Sequence, residues 1–179
     1  MSKMDHFQLM STYNIRMNRQ VYNAALSLPV ALLEQDMGAF FKSISGTLNH
    51  ILVGDIIWYS RFAKHSENYL SLGKLSQIVQ PKTLDTIISS NIDELYEMRQ
   101  AVDELIHHWL HAELKEEDLE KGLHYTNSKG ILGHKPFAEL LSHVFNHQTH
   151  HRGQVSTLLS QHGVDIGVTD FLIDIPNLN

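Results

Sequence analysis

The chain has 179 residues, enough for one domain with a substantial core. Its 14 Lys and Arg against 20 Asp and Glu give a formal charge of −6, which argues against a nucleic-acid surface built on clustered cations. It has no cysteine, which excludes disulfides, thiolate ligands and an internal thiol nucleophile, but it has 13 histidines, which composition alone does not explain.

Four long helical patterns run along the chain, with little strand signal. The first spans about Asp5 to Leu28: Met10, Tyr13, Met17, Val21, Ala24 and Leu28 recur at steps of three and four, and Pro29 ends it. The second spans about Met37 to Ala63 and is apolar nearly all round through Ile51-Leu52-Val53 and Ile56-Ile57-Trp58, so it is expected to be the most buried. A linker with Gly73 and Pro81 follows. The third is expected to open at Thr83 as N-cap, with a narrow seam of Leu84, Ile88, Ile92, Leu95, Val102, Leu105 and Trp109. In the polar stretch from Glu113 to Lys135, His124-Tyr125-Thr126 and Ile131-Leu132 flank Asn127-Ser128-Lys129-Gly130 in the manner of a small hairpin. The fourth helix starts after Pro136, carries Phe137, Leu140, Leu141, Val144 and Phe145, and is expected to end near Gly163. Val164 to Asn179 has no periodicity and is expected to drape over the helices. The expected fold is all-α: one domain over residues 1–179, a four-helix bundle with at least one long crossover. No apolar run approaches the roughly 20 residues that span a bilayer, so no membrane segment is expected. Met1 to Asp5 shows no basic stretch leading into an apolar run, so no signal peptide is expected, and a cytoplasmic protein is.

The fourth helix carries the chemistry. His147 and His151 stand four residues apart, which places two imidazoles on one helix face where both reach a single ion. In a bundle the third ligand comes from a facing helix. His50 is the leading candidate, because it lies on the most apolar helix and is bracketed by Gly46 and Gly54. A helix-interior glycine costs about 1 kcal/mol relative to alanine, so two of them suggest space for an open metal position, a substrate or close helix packing. Three neutral imidazoles leave a position open, the pattern of a catalytic site rather than a closed structural one. His143, one turn before His147, is the alternative ligand, and His150 could support the site from behind. His107 and His111 are a second pair four apart, about 200° from the Leu105 and Trp109 seam. They and His108 are expected in solvent at a helix C-terminus, where imidazolium suits the dipole. Arg152 is expected to serve the fold through a salt bridge or a dimer contact. Tyr13, Asn14, Asn49 and Trp58 are possible pocket residues, with packing or capping the plainer role. There is no His-Glu-x-x-His, no pair of Glu-x-x-His motifs and no glycine-rich phosphate loop.

Several stretches resemble the DinB family, also known as DinB-like or YfiT-like metalloenzymes. They are Tyr13-Asn14-Ile15-Arg16-Met17-Asn18, Leu26-Ser27-Leu28-Pro29, Gly46-Thr47-Leu48-Asn49-His50-Ile51-Leu52, Asp55-Ile56-Ile57-Trp58 and Gly167-Val168-Thr169-Asp170-Phe171-Leu172. The most specific is Asn146-His147-Gln148-Thr149-His150-His151-Arg152-Gly153-Gln154. The resemblance implies an up-down-down-up bundle, a homodimer, and one divalent ion per chain on His50, His147 and His151, with zinc, nickel, iron and manganese not distinguished. It also implies chemistry with a low-molecular-weight thiol, as an S-transferase or a thiol-dependent isomerase. A metal-dependent hydrolase and a non-catalytic metal-bound module are the alternatives.

Overall fold

The computed structural model describes residues 2–127 and 129–177. Ser2 opens α1 (Lys3–Leu26) with a reciprocal cap: its hydroxyl accepts from the Asp5 N–H at 3.0 Å, and the Asp5 carboxylate accepts from the Ser2 N–H at 2.9 Å. Pro29 then starts the short α2 (Val30–Glu34). The second long helix, α3 (Ile44–Phe62), begins later than the apolar pattern suggests. Residues 37–42 form a tight turn instead, with the Met37 N–H donating to the Lys42 carbonyl at 2.8 Å and positive φ at Gly38 and Lys42. Ser43 caps the helix, its Oγ accepting from the Gly46 N–H at 3.0 Å.

α4 (Leu70–Gly73) is a single turn in the linker. The third long helix, α5 (Ile92–His108), does not start at Thr83. Thr83 is taken up in a local turn in which the Thr86 hydroxyl donates back to its carbonyl at 2.8 Å. The true cap is Asn91, whose side chain accepts from the N–H groups of Asp93 at 2.9 Å and Glu94 at 3.3 Å. Those two acids in the first turn also complement the helix dipole. Leu84, expected on the seam, is 48% exposed, whereas Leu95, Val102 and Trp109 are fully buried. α5 runs into a π-helical turn, Trp109–Glu113. After the short α6 (Glu116–Leu119), β1 (Gly122–Thr126) pairs antiparallel with β2 (Leu132–Pro136), with His124 opposite His134. The hairpin is thus longer than the pattern indicated, and Ser128 of its expected turn lies outside the described residues.

α7 (Phe137–Gln161) follows Pro136 directly. It ends in a Schellman arrangement: Gly163 takes φ +75°, its N–H donates to the Ser160 carbonyl, and the Val164 N–H donates to Leu159. The tail crosses α1 as expected, although Leu178 and Asn179 lie outside the described residues. Arg16 pairs with Asp174 at 2.7 Å and donates to the Val168 and Asp170 carbonyls, and the Tyr13 hydroxyl donates to the Thr169 carbonyl. The chain is mostly helical. α1 packs on α5 and α7, and α3 packs on the same two helices.

A ring of buried polar groups, joined by hydrogen bonds and, between Arg99 and Asp103, by an ion pair, ties all four long helices together. Arg99 NH1 donates to Asp55 Oδ2 at 2.6 Å, and Arg99 NH2 lies 2.9 Å from Asp103 Oδ1. Asn18 Nδ2 donates to both Asp103 oxygens, and its Oδ1 accepts from Arg152 NH1 at 3.2 Å. Arg152 NH1 also donates to Gln148 Oε1 at 2.9 Å, and Gln148 Nε2 closes the ring on Asp55 Oδ2 at 2.6 Å. Two arginines face two aspartates, so the buried charge is balanced. Removing one member leaves an uncompensated charge in the interior. Asp55→Ala should therefore cost about 3–5 kcal/mol of unfolding free energy, measured by urea denaturation. A loss of about 1 kcal/mol or less, as for an exposed pair, would show that the ring does not hold the helices.

Candidate metal centre

α3 and α7 meet along a seam that starts from this ring. The 2.6 Å bond from Gln148 to Asp55 fixes the register of one helix against the other. The residue before each partner is Gly54 or His147, so those two face each other. A Cβ on Gly54 would stand 2.8 Å from Cε1 of His147, and only glycine leaves room for that ring. One turn back on α3 is His50, and one turn on along α7 is His151. His50 Nε2 and His147 Nε2 are 3.0 Å apart. Ring centres are 4.5 Å apart for His50 and His151, and 4.4 Å for His147 and His151. One donor atom from each of the three lies within 4.8 Å of the others, a cluster that could hold a metal ion.

The tautomers suit such an ion. His50 Nδ1 lies 2.8 Å from the Leu84 carbonyl, which can only accept, so Nδ1 carries the proton and the Nε2 lone pair is free. His151 Nδ1 lies 2.7 Å from Gln154 Oε1, with the same consequence. At His147 the Nδ1 is buried without a partner among the described residues, while Nε2 faces the free lone pair of His50. Two lone pairs at 3.0 Å repel unless a proton or a cation stands between them. Imidazole nitrogens at metal-bond length in a tetrahedral site are about 3.3 Å apart, close to the 3.0 Å between His50 and His147.

Electrostatics keep the cluster uncharged. Burial, then the neighbouring histidines, push His147 down to about 3. Burial also lowers His50 and His151, partly offset by the Leu84 and Gln154 hydrogen bonds. Neutral imidazole is the form that ligates.

The loops that differ from the sequence pattern supply the surroundings. Phe41, in the turn before α3, stacks on His50 with ring centres 3.7 Å apart and meets His151 edge-on at 5.6 Å. Gly46 is needed for that turn, since a Cβ there would collide with the Phe41 carbonyl. The space beside His50 is thus filled by the His147 ring on one side and the Phe41 segment on the other. Asn49 anchors the strap before α5: its Oδ1 accepts from the N–H groups of Ile88 and Ser89, and its Nδ2 donates to the Ser89 carbonyl. The strap in turn delivers the Leu84 carbonyl to His50. Gln154 and the Leu84 carbonyl are the supporting groups that sequence reasoning missed. Gln154 was visible as a polar residue three after His151, on the same helix face. The Leu84 carbonyl has no sequence signal.

His143 is exposed and outside the cluster, its ring centre 6.2 Å from that of His147. His150 stands beside the site: its ring meets that of His151 edge-on with centres 4.8 Å apart, and Gln154 Nε2 lies 3.3 Å from His150 Nε2. His107 is not in open solvent: its Nδ1 lies 3.2 Å from the Ser11 hydroxyl, and burial lowers its pKa, which works against the imidazolium expected there. His108 and His111 are exposed, as expected. Arg152 is 3% exposed and hydrogen-bonds neutral side chains, so it is neither a salt-bridge partner nor a surface contact. Burial lowers its pKa to about 10, which leaves it charged at neutral pH. Tyr13 holds the tail, Asn14 is buried, and Trp58 lines a pocket next to His143.

A sequence model of the DinB family matches residues 1–176. The chain belongs to the DinB family. It is 29% identical over 161 residues to the protein named Protein DinB from Bacillus subtilis (strain 168), covering 89% of this chain and 87% of that one. No solved structure matches the chain. Among the described residues no helix is long and apolar enough to cross a membrane.

Two outcomes follow from this geometry. Gly54→Ala should displace the His147 ring and weaken divalent-metal binding at least about tenfold while the helical circular dichroism is kept. Unchanged affinity would mean that the ring has other room. The depressed histidines also set a pH dependence. Their folded pKa values lie below the unfolded value of about 6.5, so the unfolded chain binds more protons between the two. Stability of the metal-free protein is therefore present above about pH 6.5 and falls as pH drops below it, by at most about 1.4 kcal/mol per unit for each histidine. The drop in urea midpoint from pH 7.5 to pH 5 should be smaller for His147→Asn than for the parent chain; equal drops would remove His147 as a source.

Proposed function

We propose that this chain binds one divalent ion on His50, His147 and His151 and is a metal-dependent enzyme acting with a low-molecular-weight thiol, an S-transferase. The observation that carries the reading is the convergence of three neutral imidazoles, two with their tautomer set by a second partner, and with no further donor in the cluster among the described residues. When bound, the ion supplies Lewis acidity that makes a thiol or a water at an open position a stronger acid. The chain itself orients His50 through Leu84 and His151 through Gln154, and Phe41 shields the His50 face from water. The thiol has to come from outside, because the chain has no cysteine. A thiol is favoured over water because the cluster contains no carboxylate and no Glu stands between His147 and His151 to act as a base on water.

The same reading makes the chain an up-down-down-up bundle that works as a cytoplasmic homodimer. The pairings of α1 and α3 with the same two helices support that course, with residues 63–91 as the long crossover. Val168, Leu172, Ile173 and Ile175 are exposed on the tail, and such surface favours burial against a second copy. The cysteine-free composition fits a reducing compartment.

Metal analysis of the purified protein should give one ion per chain, lost in His50→Ala, His147→Ala and His151→Ala and kept in His143→Ala. The loaded protein is then screened against electrophiles with and without small thiols, and against esters and amides alone. Thiol-dependent turnover that disappears in His147→Ala is expected. Hydrolysis with no thiol requirement would replace the transferase with a hydrolase, and full metal retention in His50→Ala would remove the triad. Light scattering of the same sample should give twice the chain mass; a single-chain mass at all concentrations would remove the dimer.

A further inference from the structure

A pocket of about 350 Å³ opens where α3, the hairpin and the start of α7 meet. It continues the seam that holds the triad. Trp58 on its wall lies one turn beyond Gly54 on α3, and His143 lies one turn before His147 on α7. Their rings are 5.2 Å apart, and the His143 ring is 6.2 Å from that of His147. Tyr125 comes in from β1, its ring 5.3 Å from Trp58, and Leu140 also lines the wall. The walls are therefore mainly aromatic and apolar, at a volume that suits a single-ring molecule.

The charge beside the pocket is not balanced. The Arg61 guanidinium lies 4.6 Å from the centre of Trp58 and 5.5 Å from that of Tyr125. Among the described residues it makes no salt bridge, although it is half-buried. Lys135 from β2 lines the pocket and also makes none. Against these two cations stands one carboxylate, Glu139. A half-buried guanidinium without a counter-ion, stacked on the rings that form the wall, calls for an anion.

We propose that this pocket binds the organic substrate and selects a small molecule that carries a flat aromatic group and an anionic group. The aromatic group lies against Trp58 and Tyr125, the anion faces Arg61 and Lys135, and the remaining end points along the seam past His143 to the triad. The assignment of the occupant as a substrate rests on the triad being the reaction centre; the binding itself does not.

The probe is 4-nitrobenzoate, an aromatic anion that quenches tryptophan. The chain has two tryptophans, and Trp109 is fully buried, so quenching reports on Trp58. Titration of the full chain should quench saturably, with binding about tenfold tighter than for the cation 4-nitrobenzylammonium. Lys135→Glu, an exposed change that leaves the packing intact, should weaken 4-nitrobenzoate about tenfold, and Tyr125→Ala by up to roughly tenfold. Phe40→Ala, in a separate cleft, should change nothing. Absence of saturation, no preference for the anion, or indifference to Lys135→Glu overturns the proposal. Metal content of the same samples reads the triad separately. Bound metal without probe binding removes the pocket alone, and probe binding without metal keeps the pocket while the triad falls.

Discussion

The ring of Asp55, Arg99, Asp103, Asn18, Arg152 and Gln148 is the interaction on which the rest depends. Apolar packing between helices is non-directional, and leucines slide past one another at little cost. A buried carboxylate that accepts from one arginine and one glutamine does not slide, because every lost bond exposes an unsatisfied group. Burial lifts the Asp55 carboxyl to about 6, and Arg99 pulls against that rise. The ring reaches every long helix through short, directed bonds. It therefore specifies which residues meet more than it adds net stability.

The histidine cluster inherits its geometry from that register. Gln148 and Asp55 are bonded, so their chain neighbours His147 and Gly54 face each other, and the missing side chain of Gly54 admits the imidazole. Helices thus supply the donor atoms, and loops supply what conditions them. The turn before α3 lays Phe41 on His50, and the strap before α5 brings a carbonyl to its Nδ1. Asn49, next to His50 in the chain, anchors that strap, so His50 and its support are fixed by neighbouring residues of one helix.

The parts of the fold legible in the sequence are those governed by local period and local capping. The apolar steps of α1 and α7, Pro136 before α7 and Gly163 after it are short-range signals, and the elements they mark are found. The apolar pattern ran on past the true start of α3, and the Thr83 reading failed for the same kind of reason. Met37 and Leu84 continue a hydrophobic stripe, yet a stripe does not say whether its first residues are helical. That is decided by caps: Ser43 and Asn91 each close on helix N–H groups, and the residues before them are free to bend over the site. His107 was misjudged because its partner, Ser11, comes from α1, far away in sequence.

By itself the sequence determined the helical class, the imidazole pair on α7 and the lack of an internal thiol. These follow from spacing and composition, which need no knowledge of neighbours. Only the tertiary structure decided that His50 and not His143 joins the pair, since both lie at helical spacing from apolar residues and only the register of α3 on α7 separates them. It also decided that Gly54 serves the His147 ring, that the tautomers of His50 and His151 leave Nε2 free, and that Arg152 is interior. Each of those is a relation between residues distant in the chain, and such relations arise only when the helices pack.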